Sequence, residues 1–137
     1  MSIKLAQEEI IEEFAFFDNW MDRYQYIIDL GKKLPDLDPE HQTDDNKLQG
    51  CQSQVWVIAH QQGNKIHFQS SSDSAIVCGL IALVLRVYSD RTMDEIIQTE
   101  PEFIARIGLS DHLSPTRSNG LHALMTWIKN KAIQLSI

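Results

Sequence analysis

Val55-Trp56-Val57-Ile58-Ala59-His60-Gln61-Gln62-Gly63-Asn64-Lys65-Ile66-His67-Phe68-Gln69 is the stretch that decides the fold. Val55 to Ala59 are β-branched, aromatic or small, which suits a pleated strand. His60-Gln61-Gln62-Gly63-Asn64 turns the chain, and Ile66 and Phe68 then alternate with His67 and Gln69. Alternation with period two on both sides of a tight turn predicts an antiparallel hairpin with one face on a core. A lone hairpin is only marginally stable in water, so other elements must cover its apolar face.

Helical periodicity on either side supplies that cover. Upstream, Ile10, Phe14 and Phe17 form one amphipathic stripe. Trp20, Tyr24, Ile27 and Ile28 form a second, with Asp18 as its expected N-cap, Gly31 as its expected C-terminal cap and Pro35 blocking continuation. Downstream, Asp73 or Ser74 is expected to cap a helix from Ala75 to about Tyr88. That helix is apolar nearly all round and therefore central. Thr92 with Glu95, and Thr99 with Glu102, each fit a capping box, with Pro101 near the start of the second helix and Gly108 at its end. Leu109 to Arg117 reads as a loop, and Ser118 as the cap of a last helix with Leu121, Leu124, Met125, Ile128 and Ile133 on one stripe. The expected fold class is α+β, a small antiparallel sheet packed against several helices, two before it and four after. The chain shows no linker or repeat, so residues 1–137 are read as one domain.

Composition narrows the function. Of 137 residues, 43% are hydrophobic, enough for a real core. A formal charge of −7 is repelled by phosphate backbones, so no nucleic-acid partner is expected. Met1 to Phe17 carries four glutamates where a signal peptide needs an apolar run. The longest uncharged apolar stretch, Ala75 to Leu85, falls well short of the roughly 20 residues that span a bilayer. No membrane association is expected, and the protein is expected to be soluble and cytoplasmic. Leu34 to Leu48, with two prolines and five acidic residues, reads as a long exposed loop.

Two residues can carry thiol chemistry, Cys51 and Cys78. They lie 27 positions apart and form no zinc pattern, so no metal site is expected. Cys78 falls within the apolar helix and reads as a small inert core residue out of reach of Cys51. Cys51 lies between the polar loop and the hairpin, preceded by Gly50 and followed by Gln52 and Ser53. Glycine there permits an unusual backbone turn, and Gln52 and Ser53 offer donors to a thiolate. These features alone fit a reactive cysteine and an ordinary loop cysteine equally. A cysteine hydrolase would need a histidine against the thiol. His60 and His112 are the candidates, and nothing in the sequence marks either.

Leu48 to Trp56 reads L-Q-G-C-Q-S-Q-V-W, which closely resembles the signature of the SufE family of sulfur acceptors, SufE and its paralogue CsdE alike. The resemblance continues through Tyr26 to Pro35, Asp73 to Val77 with Gly79-Leu80, His112 to Pro115, and Arg117 to Leu121. It implies a SufE/IscU-like fold. It also implies a partner: a cysteine desulfurase of the SufS or CsdA type, which uses pyridoxal phosphate, while this chain binds no cofactor of its own. Cys51 would take sulfur from the desulfurase persulfide, enhance its turnover, and pass the sulfur to an iron–sulfur scaffold. The chain would then be a sulfur-transfer accessory protein rather than an independent enzyme. Gly50, Gln52 and Ser53 would support the persulfide loop, which would hide the thiol and then extend it. Asp73 and Arg117 are candidate partner contacts; Asp73 reads equally as a helix cap, and Arg117 equally as one half of an ion pair within the chain. The alternative, a cluster scaffold or iron-binding protein, needs several ligands where the sequence offers one.

Overall fold

The computed structural model describes residues 2–50 and 53–135. Helices α1 (Ile3–Ala15) and α2 (Trp20–Lys32) come first. Two 3-10 turns follow, Pro39–His41 and Asp44–Asn46, then strands β1 (Val55–Gln62) and β2 (Lys65–Ser72). Helix α3 (Ala75–Tyr88) leads through the short strand β3 (Arg91–Thr92) to α4 (Met93–Gln98), α5 (Glu102–Arg106), α6 (Leu109–His112) and α7 (Pro115–Leu135).

The hairpin forms as expected, in an antiparallel register running from Val55 opposite Ser72 to Gln62 opposite Lys65. Gly63 takes a positive φ of 64° at the turn, a backbone conformation glycine adopts without penalty. Sequence periodicity missed β3, two residues too short to alternate. It adds antiparallel to β2, with Lys65 opposite Thr92 and Ile66 opposite Arg91, and gives the order β1-β2-β3. Val55, Val57, Ile66, Phe68 and Ser70 are buried on the inner face. There Ser70 Oγ donates to the Trp56 carbonyl at 2.8 Å, which satisfies its hydroxyl.

Helix α3 is the central element, packed against α1, α2, β2 and α7. Leu80, Ile81, Leu83, Val84 and Val87 are all buried, and each such side chain stabilises by roughly 1.5–3 kcal/mol relative to exposure. Gly31 does not end α2; it lies inside the helix. A Cβ there would come within 2.6 Å of Gly79 N, and a Cβ on Gly79 would come within 2.0 Å of the Ile27 carbonyl oxygen. The two glycines let the α2 and α3 backbones touch, so packing, not capping, explains Gly31.

Several helix ends move for similar reasons. Phe17 N still bonds to the Phe14 carbonyl, and the cap of α2 falls one residue after Asp18. Asn19 is its cap, with Oδ1 accepting from Asp22 N at 2.9 Å. Thr92 and Glu95 form the reciprocal capping box. Thr99 and Glu102 do not, because Thr99 ends α4 and its carbonyl accepts from the Tyr88 hydroxyl. The Phe103 N–H at the start of α5 is taken instead by Gln7 Oε1 of α1 at 3.0 Å, while Gln7 Nε2 donates to the Glu100 carbonyl. An acceptor supplied from 96 residues away leaves no local pattern. The loop expected from Leu109 to Arg117 contains α6 and the first turn of α7. Ser114 rather than Ser118 caps α7, its Oγ accepting from Arg117 N at 3.3 Å, and Pro115 fills the first helical position.

The polar stretch before the hairpin is also more ordered than a bare loop. Leu37 is buried at 3% exposure and anchors it. Asp38 Oδ1 accepts from Glu40 N, and Asn46 Nδ2 donates to the His41 carbonyl. Among the helices, Arg86 of α3 pairs with Glu13 and Glu9 of α1, and the Tyr26 hydroxyl of α2 donates to Glu13. The Arg86 guanidinium holds the Glu13 carboxyl below its ordinary range. Burial, reinforced by Glu13, pushes the Tyr26 phenol up to about 12. No helix among the described residues is long and apolar enough to cross a membrane.

Candidate functional site

Cys51 and Gln52 lie outside the described residues. The residues on either side of them are held by the start of β1 and by Asp73, and Gly50 lies close to α7. Lys47 bridges antiparallel to Trp56, and Leu48 N donates to the Val55 carbonyl at 2.8 Å, so the approach to Gly50 is pinned to the start of β1. Gly50 takes a positive φ of 91°, as the sequence suggested for that position. A Cβ added there would meet the Ala123 side chain of α7 at 3.3 Å, so glycine also permits close approach to the helix.

On the far side, Gln54 is clasped by Asp73. Gln54 N donates to Asp73 Oδ1 at 3.1 Å, and Asp73 N donates to the Gln54 carbonyl at 3.3 Å. Asp73 is therefore not the cap of α3. Ser74 occupies the cap position without a side-chain bond, and the Asp73 carboxylate is spent on the segment that follows Cys51 in sequence.

Ser53 and Arg117 meet at one cavity. A pocket of about 420 Å³ is lined by Leu48, Ser53 and Val55 from the hairpin side, Val77, Leu80 and Ile81 from α3, and Ser114, Thr116, Arg117, Gly120, Leu121 and Leu124 from the end of α6 and α7. Its walls are mostly aliphatic. Arg117 is the one charged side chain among the described lining residues, and it is exposed in a chain whose net charge is −7. No carboxylate among the described residues reaches it within ion-pair distance, so the internal ion pair expected as one alternative is not formed there. The α7 contribution was hidden in the sequence by the loop assignment. The signal that reveals it is the Ser114-Pro115 start.

The remaining candidates fall elsewhere. Cys78 is half-buried rather than buried, because it faces away from the apolar stripe of α3; its Sγ donates to the Ser72 carbonyl at 3.3 Å. Neither histidine lines the pocket. His112 stacks on Trp20 at 4.1 Å with Nδ1 against the Gly108 carbonyl, and His60 sits far along β1 beside Gln62.

Residues 8–132 match the family model described as SufE, Fe-S metabolism associated domain. An uncharacterized SufE-like protein of Rhizobium meliloti (strain 1021) is 42% identical over 130 residues, covering 91% of this chain and 93% of that protein. A second uncharacterized SufE-like protein, from Rhizobium etli, is 43% identical over 130 residues, covering 91% of this chain and 88% of its own length. The solution structure of a hypothetical protein from Thermus thermophilus shares the fold, with a TM-score of 0.77 over 95% of both chains at 18% identity. With its three-stranded antiparallel sheet and covering helices, and with a family match running nearly end to end, this chain belongs to the SufE family of Fe–S metabolism associated domains.

Proposed function

We propose that the chain is a sulfur acceptor and activator for a cysteine desulfurase, carrying sulfane sulfur on Cys51 and handing it to iron–sulfur cluster assembly. Support comes first from the shared pocket: Leu48, Ser53 and Val55, which bracket Cys51 in sequence, line one aliphatic cavity with Arg117. An apolar cavity excludes water and competing thiols from a labile sulfur, and an exposed cation at its edge favours an anionic sulfur species over a neutral one.

The transfer is a thiol exchange. The Cys51 thiolate attacks the outer sulfur of the partner's persulfide; a new S–S bond forms on Cys51, the partner's S–S bond breaks, and the partner's thiolate leaves. No net oxidation occurs and no cofactor of this chain is needed. Pyridoxal phosphate belongs to the desulfurase, which generates the persulfide from free cysteine. A basic patch on that partner would complement this acidic chain. The chain then acts as an accessory protein in the cytoplasm, not as an independent enzyme.

The clasp between Asp73 and Gln54 and the bond from Leu48 to Val55 hold the described residues on both sides of Cys51 in sequence, which supports a dedicated role for this stretch. Gly50, with its positive φ, is proposed as the hinge of the thiol-bearing segment. Gln52 and Ser53 are the proposed donors to the bound sulfur, and Arg117 is proposed to meet the partner at the pocket edge.

The test is a mass measurement. Incubated with a desulfurase, pyridoxal phosphate and cysteine, the chain should gain about 32 Da at Cys51 by this exchange. Cys51→Ser should gain nothing and should not stimulate the desulfurase, whereas Cys78→Ser should behave as the native chain does. Sulfur loading that survives Cys51→Ser would refute the assignment.

A further inference from the structure

The outer face of the sheet carries a pair of imidazoles that the sulfur chemistry does not use. His60 of β1 and His67 of β2 are directly opposite in the antiparallel register, so both side chains stand on the same face. Their ring centroids are 5.1 Å apart, with the planes inclined at 50°. Two imidazoles bound side by side to one divalent ion at metal–nitrogen distances of about 2.0–2.1 Å place their centroids roughly 4.5–5.2 Å apart, so the strand register alone sets nearly the required separation.

His67 also has the support that metal-binding histidines use. Its Nδ1 lies 2.7 Å from Asp90 Oδ1, which fixes the tautomer and leaves Nε2 as the free lone pair. Asp90 is itself held in place at a positive φ of 63° by the bond from its N–H to the Ile66 carbonyl at 2.8 Å. A non-glycine residue held in this strained region is set by its surroundings. His60 is exposed, and its Nε2 lies 3.0 Å from Gln62 Nε2, a surface contact that a metal–nitrogen bond readily replaces. Among the described residues no group of three or more such ligands stands together, so water would complete the coordination.

We infer that His60 and His67, with Asp90 behind His67, form an exchangeable surface site for a borderline divalent ion of the zinc, nickel or cobalt type. Imidazole is the favoured ligand for these ions, and two imidazoles without a third protein ligand give reversible capture rather than a permanent structural centre. The sulfur-carrier reading does not depend on this site.

The experiment uses the full chain in its Cys51→Ser form, which removes the competing thiol, and titrates zinc while following histidine side-chain ¹H–¹⁵N correlations and heat. Zinc should bind at one equivalent and shift His60 and His67 while leaving His41, His112 and His122 in place. His60→Ala, at an exposed position where folding is not at risk, should weaken binding at least tenfold, and Asp90→Asn should weaken it several-fold. Lower pH should release the ion, since imidazole must be unprotonated to bind. Undiminished binding in His60→Ala, or shifts confined to the other histidines, would overturn the assignment.

Discussion

Asp73 and Gln54, the latter three residues past Cys51 in sequence, exchange two hydrogen bonds, one through the Asp73 carboxylate at 3.1 Å and one through its backbone N–H at 3.3 Å. An aspartate beside the start of an apolar helix usually satisfies that helix's own N–H groups. Here it holds the neighbouring strand instead. Asp73→Ala removes the side-chain bond only and should cost about 1 kcal/mol. Amide exchange at Ser53 to Val55 should accelerate more than at Phe68 to Ser70, and Asp73→Asn, which keeps Oδ1 as an acceptor, should restore protection. Uniform acceleration across the sheet in Asp73→Ala would point to general loosening instead of a local clasp.

Gly79 is the tightest point of the helix packing. An alanine there must push its methyl against the Ile27 carbonyl, 2.0 Å away, so α2 and α3 have to separate. Overpacking of this kind typically costs about 1–3 kcal/mol and occasionally more. Gly79→Ala should therefore lower the urea midpoint strongly. Gly63→Ala meets no atom within 4 Å and should lower it less, through its positive φ alone, by about 1 kcal/mol.

The cluster of Glu13, Arg86 and Tyr26 sets a pH dependence at both ends of the scale. The folded-state pKa of Glu13 is depressed, chiefly by its bond to Arg86, so its contribution is present above the ordinary carboxylate range and is lost as pH falls through the depressed value. The Tyr26 phenol is raised to about 12, so its contribution is complete below pH 10 and is lost as pH rises through about 12. Both partners of the ion pair are about one-third exposed, and solvent screening keeps the acid effect modest. Arg86→Met should flatten the fall in urea midpoint between pH 6 and pH 3. A native-like slope in that variant would mean that other carboxylates carry the acid sensitivity.

Arg117 is exposed at the pocket edge, so its removal should leave stability within about 0.5 kcal/mol. In the proposed sulfur transfer, Arg117→Ala should slow loading of Cys51 about five- to tenfold, equivalent to roughly 1–1.4 kcal/mol. Arg117→Lys should recover part of that, because charge is kept and the planar donor fork is lost. Native loading rates in Arg117→Ala would remove this residue from the mechanism.

Much of this was legible in the chain itself. Val55 to Gln69 specified the hairpin because strand alternation and turn chemistry are local. Ala75 to Tyr88 specified the central helix because a segment with Arg86 as its one charged residue buries most of its surface. The L-Q-G-C-Q-S run carried the resemblance to the family, since short-range residue order is what a motif records. Gly50 at a positive φ was foreseeable for the same reason.

What tertiary structure alone decided are the partners that meet across long sequence gaps. Gln7 capping α5, Asp73 turning from its own helix to Gln54, Gly31 packing on Gly79, and Arg117 joining Ser53 at one pocket all depend on where two distant segments come to rest. Local periodicity reports which face of an element is apolar. It cannot report which donor, acceptor or backbone will stand opposite that element, because this is settled only when the core closes and every buried polar group must find a partner.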